Sequence, residues 1–313
     1  MGRLLPFLLS ILLLCGCGRQ SVQPVFLPLA ERPAVEAPHI PEWTLTIDTP
    51  PVWDGSDIQQ GEPITPQPGD TAATWDMGRA ADFPADDACT DLQLLQKWLA
   101  VEGLTFADLS DRNCTQLILT VARQEDGLST ITTCYTFEDN AWYAEPSLLR
   151  MHGYVGSNGI AHDRQRNTRQ SPAGLWKLGA AFGLAEKPQN LRLAWRDITP
   201  QSDWVCDADS PYFNTWQERD DPALIPWNYY DVEHLEDYSV TYRYACVMEY
   251  NTPPYTVPDR GCAIFLHCSD HPTGGCVGLL EEDMVRTLLW LDPRENPYIL
   301  VTGHEKPEST PSA

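Results

Sequence analysis

The chain has 313 residues, 42% of them hydrophobic, which is enough for one sizeable domain with a small appendage. Its 21 Lys and Arg stand against 44 Asp and Glu, a formal charge of −23. That balance excludes nucleic acid as a partner, because phosphate binding needs clustered Lys and Arg.

Residues 1–16 read as a short export signal. Arg3 is the basic flank, and the apolar run from Leu4 to Leu14 is too short for an ordinary spanning helix. The run ends in Leu14-Cys15-Gly16-Cys17, which resembles a bacterial lipobox. Cleavage before Cys17 would leave a lipidated N-terminus, and each buried CH₂ of the lipid would add about 0.8 kcal/mol of anchoring. A plain secretory signal with later cleavage is the other reading. The expected location is extracytoplasmic either way. Residues 17–85 are rich in Pro, Asp, Glu and Thr, have little hydrophobic periodicity, and predict an extended tether. Trp43, Trp53 and Trp75 are exceptions within it.

Residues 86–112 predict a short helical segment. Leu92, Leu95, Trp98 and Leu99 form its apolar stripe, Thr90 and Asp91 suit its N-terminus, and Gly103 stops it. Cys89 and Cys114 bracket the unit, either bridged or reduced. Strands are predicted next over 116–122, 128–137 and 148–155, with a hairpin turn at Glu125-Asp126-Gly127. Residues 156–172 form a polar loop carrying Arg164, Arg166 and Arg169. These are either a holder for a substrate carboxylate or a solvated cluster neutralising nearby acids. Residues 174–183 and 191–199 read as strands. Residues 202–230 read as irregular and rich in aromatics, with Asn214 among them and the Glu233-His234 pair just beyond. His234 is a minor candidate acid or base. A long strand is predicted over 238–250, a helix over 281–291, a last strand over 298–302, and a polar tail over 304–313.

The stretch GCAIFLHCSDHPTGGCVG, residues 261–278, holds the candidate chemistry. Alternation places Ala263, Phe265 and His267 on one strand face and Ile264, Leu266 and Cys268 on the other. His267 ends the strand, where its side chain can face a cleft. Gly274 and Gly275 can take positive φ and allow close approach to the backbone. Cys276 follows directly, so amides near Gly275 and Cys276 can point at an oxyanion. A thiol attacks as the thiolate, and a neighbouring imidazole is the usual device for forming one. Two rival readings exist. Zinc would use His267, Cys268, His271, Cys276 and Cys262, but the Cys268 to Cys276 gap exceeds the usual short ligand spacing. A disulfide would join Cys268 to Cys276, or Cys262 to Cys268, the latter pair too far apart on an extended strand.

Three blocks, SPAGLWKLGAAFG (171–183), GCAIFLH and TGGCVGL, resemble the L,D-transpeptidase catalytic domain, the YkuD-like group of cell-wall enzymes. The resemblance covers about residues 113–303. The usual motif is S/T-H-G-C followed shortly by Asn or Arg. Here it is Thr273-Gly274-Gly275-Cys276, with Gly278 where a polar residue is usual and a shorter gap from histidine to cysteine, as in a divergent subgroup.

The resemblance implies a mainly β fold, a mixed sheet or sandwich with one or two short helices. It implies Cys276 as nucleophile, His267 as general base, amides of Gly275 and Cys276 beside Gly274 as oxyanion donors, and a carbonyl at Cys268 or a neighbour orienting the imidazole. Arg169, Asn214, His234 and Thr273 are substrate-binding candidates. The implied activity is 3→3 cross-linking of peptidoglycan stem peptides by a monomer tethered to the membrane through its lipid, facing the cell wall, without metal or cofactor. Hydrolysis at the same site, as an L,D-carboxypeptidase or another cysteine amide hydrolase, and a non-catalytic wall-binding lipoprotein are the alternatives.

Overall fold

The computed structural model describes residues 85–86, 88–219, 221 and 224–304. The export signal, Cys17, nearly all of the tether and the last nine residues of the tail lie outside them. The described part is mainly β, as expected, with three α-helices.

Helix α1 (Asp91–Val101) begins at Thr90, whose hydroxyl accepts from the Gln93 amide while the Gln93 side chain accepts from the Thr90 amide. This reciprocal cap satisfies amides that the first turn would leave unpaired. Three residues of the predicted stripe, Leu95, Trp98 and Leu99, are buried; Leu92 is exposed and Leu94 takes its place. A second helix, α2 (Phe106–Asp111), follows, so the segment expected as one short helical unit holds two helices. No bridge joins Cys89 to Cys114. The Cys114 thiol donates instead to the Gln116 carbonyl at 3.3 Å.

The strands in order are β1 (Gln116–Ala122), β2 (Ser129–Glu138), β3 (Ala141–Ala144), β4 (Met151–Tyr154), β5 (Ile160–Ala161), β6 (Ser171–Pro172), β7 (Gly174–Gly183), β8 (Trp195–Asp197), β9 (Ser202–Val205), β10 (Thr215–Glu218), β11 (Val232–His234), β12 (Ala245–Met248), β13 (Phe265–Cys268), β14 (Val277–Leu279) and β15 (Tyr298–Gly303). Helix α3 (Glu281–Trp290) lies between the last two. The main sheet runs β1-β15-β7-β12-β13-β14-β4-β2-β3, with β8 on β7. Because β1 also pairs with β2, eight strands close into a ring, and closure leaves no open edge among them. The pairs β1–β15 and β13–β14 are parallel, so the sheet is mixed.

Alternation along β1 shows how the pattern selects faces. Ile118 and Ala122 join Leu266, Val277, Ile299 and Val301 in one core. Leu117, Leu119 and Val121 join α1 in a second. The same rule operates on β13: Ile264 and Leu266 enter the first core, while Ala263 and Phe265 enter a third together with Cys276 and Tyr242. The third core is partly covered by the small sheet β10-β9-β11. Residues 202–230, read as irregular, therefore carry two of that sheet's strands.

The predicted strand over 238–250 is mostly not one. Two short 3₁₀ turns occupy Leu235–Asp237 and Thr241–Arg243, and only Ala245–Met248 is extended. Val240 is exposed while Tyr242 is buried, so positions two apart do not share a face.

Candidate functional site

The site forms where β13 and β14 run side by side. Leu266 pairs with Val277 and His267 with Gly278, so Cys276 lies opposite Phe265. Phe265 and His267 are two residues apart on one strand and share a face. Cys276 and His267 are therefore diagonal neighbours, roughly 8 Å apart at Cα by strand spacing. The Phe265 amide lies 3.4 Å from Cys276 Sγ, and that thiol donates to the Ala263 carbonyl at 3.4 Å.

His267 Nδ1 is 2.9 Å from the Cys268 carbonyl. A carbonyl only accepts, so Nδ1 carries the proton and Nε2 presents its lone pair. The Tyr242 ring stands edge-on to the imidazole at 5.8 Å. Both reactive groups are buried: His267 is 4% exposed and Cys276 7%. His267 therefore does not open directly onto a cleft, contrary to its reading as a strand-end residue. Burial lowers its pKa to about 4, against the opposing bond to the Cys268 carbonyl. Burial pushes the Cys276 thiol up to about 12, and the Glu233 charge adds to the rise; the Phe265 amide and the Arg164 guanidinium pull it back. The resting pair is a neutral thiol beside a neutral imidazole.

The low His267 value has a sign in stability. The unfolded chain binds that proton more readily, so the contribution is whole above about pH 6.5 and is lost as pH falls through about 4. Between pH 7 and 4 the wild type is expected to lose about 3 kcal/mol more than His267→Gln. Urea midpoints of the two proteins at both pH values check this; parallel losses would contradict it.

The turn before Cys276 is held internally. Thr273 Oγ1 donates to the Cys276 carbonyl at 2.7 Å and accepts the Gly275 amide at 3.1 Å. Ser171, from the first of the three sequence blocks, donates to the same carbonyl at 2.7 Å. Two expectations change here. Thr273 shapes the turn with both its polar contacts, and the Gly275 amide is committed to it. Of the two glycines only Gly275 has positive φ, at 137°. A Cβ there would meet the Gln170 carbonyl at 3.0 Å and Arg164 Nη2 at 3.2 Å, whereas one on Gly274 would meet nothing within 4 Å.

Other candidates lie elsewhere. Asn214 is buried with its polar groups satisfied: Oδ1 accepts from Trp204 Nε1 and the Ala263 amide, and Nδ2 donates to the Tyr250 and Asn251 carbonyls. It pins Ala263, whose carbonyl accepts from the Cys276 thiol, and has nothing left for a substrate. His234 turns to a fully buried Asp203, 2.8 Å away, which also pairs with Arg219. Arg169 is exposed. Cys268 contributes its carbonyl to His267, and its thiol donates to the Tyr244 carbonyl at 3.5 Å. Neither rival disulfide forms: Cys262 is bonded to Cys206, and Cys268 and Cys276 are both free thiols. Among the described residues no group of three or more His, Cys, Asp or Glu could hold a metal ion.

Sequence reasoning passed over Glu233. It alternates with His234 on β11, so choosing one face of that pair decides between the site and the Asp203 network. Glu233 accepts from the Tyr242 hydroxyl at 2.5 Å, and burial raises its pKa to about 7 against that bond. It also lines a cleft of about 230 Å³ with Arg166, Tyr230, Asp231 and the Cys206–Cys262 bond. Cys262 immediately precedes Ala263, whose carbonyl accepts from Cys276, so the cleft lies near Cys276 without Cys276 lining it.

No family model matches the chain, and no curated protein matches it. Among solved structures it is similar to the helical cell shape determining protein Pgp2 from Campylobacter jejuni, at 12% identity and a TM-score of 0.29. That likeness covers 66% of this chain and 56% of the Pgp2 chain, so this protein spans little more than half of that neighbour's length.

Proposed function

We propose that the chain is a peptidoglycan L,D-transpeptidase working through a Cys276 acyl-enzyme. The observation that carries this reading is His267 and Cys276 on one face of adjacent strands, with Nδ1 tied to the Cys268 carbonyl and Nε2 left to accept a proton. The resemblance of the three sequence blocks supplies the substrate class.

In this mechanism the thiol proton passes to His267 Nε2 as sulfur attacks the carbonyl of the third residue of a stem peptide. The tetrahedral intermediate collapses, and the terminal D-amino acid leaves with the proton from His267. His267 then takes a proton from the acceptor, and the acyl group moves from sulfur to it. An amine from another stem gives a 3→3 cross-link; water gives the carboxypeptidase product. A neutral resting pair fits a proton transfer concerted with attack and protects the thiol between turnovers. The Cys206–Cys262 bond fits an oxidising compartment, in keeping with export and a lipid on Cys17.

The high Cys276 pKa favours one second reading, a wall-binding module that keeps the fold without turnover. Incubation of the full chain with disaccharide tetrapeptides separates the two. The transpeptidase yields cross-linked dimer and free D-amino acid, both absent with Cys276→Ala. Binding to wall fragments without either product would support the module instead.

A further inference from the structure

Arg164 is an anomaly of this acidic chain. It is 5% exposed, yet no carboxylate lies within ion-pair distance of it among the described residues. Its Nε donates to the Gln170 carbonyl at 2.7 Å and its Nη1 to the Arg260 carbonyl at 2.6 Å. Its guanidinium carbon sits 5.7 Å from the Tyr250 ring centre. A buried charge is costly unless an opposite charge or a full set of dipoles compensates it. The chain makes room for this one. At Gly261, where φ is 79°, an added Cβ would lie 2.5 Å from Nη1, and at Gly275, where φ is 137°, one would lie 3.0 Å from the Gln170 carbonyl and 3.2 Å from Nη2. The second of these glycines is the residue before Cys276. The guanidinium is thus packed against the nucleophile turn, on the side of the 163–170 loop.

We propose that Arg164 is the built-in counter-cation of this site, stabilising the negative charge that develops at Cys276, first as thiolate and then as substrate oxyanion. The proposal deepens the acyl-enzyme reading and rests on it for the oxyanion, but not for the thiolate. It also accounts for the amide arrangement: with the Gly275 N–H committed to Thr273, the turn has one less backbone donor to offer an anion. The Glu233 carboxylate opposes Arg164, so the charge felt at Cys276 is the balance of the two. Arg164 acts through its field and its hold on the turn, which makes it a positioning residue.

The test is the rate at which Cys276 of the full chain is alkylated by iodoacetate, an anion, relative to iodoacetamide, which is neutral. Peptide mass spectrometry reads both. A change in access alone moves both rates alike and leaves their ratio unchanged. Arg164→Gln is expected to lower the iodoacetate to iodoacetamide ratio at least threefold, about the effect of one charge several ångströms away, and Arg164→Lys to keep most of it. An unchanged ratio in a folded Arg164→Gln protein overturns the proposal, as does a wild-type Cys276 that neither reagent modifies. If Arg164→Gln does not fold, Arg164→Lys decides: a kept ratio supports the cation, and a threefold loss overturns it. A shifted ratio in a protein that makes no acyl adduct would sink the transpeptidase reading alone; an acylating protein with an indifferent ratio would sink Arg164 alone.

Discussion

On the proposed mechanism, His267→Gln is expected to lower turnover of a stem-peptide substrate by about 10²- to 10⁴-fold, the usual worth of a positioned proton acceptor. Glutamine keeps much of the volume and polarity of the imidazole but has no lone pair basic enough to take a thiol proton. The need for one is acute here, because the resting thiol is held at about 12 and carries almost no thiolate at neutral pH. The Cys268 carbonyl still has a donor in the variant, so the turn should survive. Steady-state kcat, measured beside the thermal midpoint, separates lost chemistry from lost fold. Retained kcat would place the base elsewhere, and Glu233, at about 7 and bonded to Tyr242, would be next.

Changing both Cys206 and Cys262 to serine costs about 4 kcal/mol of folding stability. The bond closes a loop of 56 residues, and loop-closure entropy of that length gives this figure. It fastens the end of β9 to the residue before Ala263, so it holds the small sheet against the lead-in to β13. Denaturant unfolding of the double variant against the wild type reads the cost. A difference under about 1 kcal/mol would mean that hydrogen bonds such as Asn214 to Ala263 already fix the lead-in.

How much of this was legible in the sequence depends on the range of the interaction. Local signals succeeded: β1 has the predicted bounds, Thr90 caps α1, and the two faces of β13 divide between two cores as alternation requires. Patterns of equal period but different burial did not. Tyr242 and Val240 fit a strand by spacing, yet Tyr242 is drawn in to pack on Phe265 and His267 while Val240 stays outside. Long-range choices carried no local mark. The partner of Cys262 is 56 residues away, and closure of the ring through β1 and β2 shows only in three dimensions. At the site the three blocks meet, with Ser171 and Thr273 both on the Cys276 carbonyl. The supporting residues are less legible. Among the arginines it is Arg164, buried beside Gly275, that faces the turn, and in the Glu233-His234 pair it is the carboxylate that faces Tyr242.

The proposed function stands on Cys276 being an acylable nucleophile. Its most direct test is the intact mass of the full chain after exposure to a carbapenem, wild type beside Cys276→Ala. The strained lactam carbonyl would acylate Cys276 Sγ as the ring opens, adding the whole mass of the drug. That single addition is expected in the wild type and none in the variant. A folded wild type, with Cys276 reduced, that gains no mass, or an addition that persists in Cys276→Ala, would contradict it.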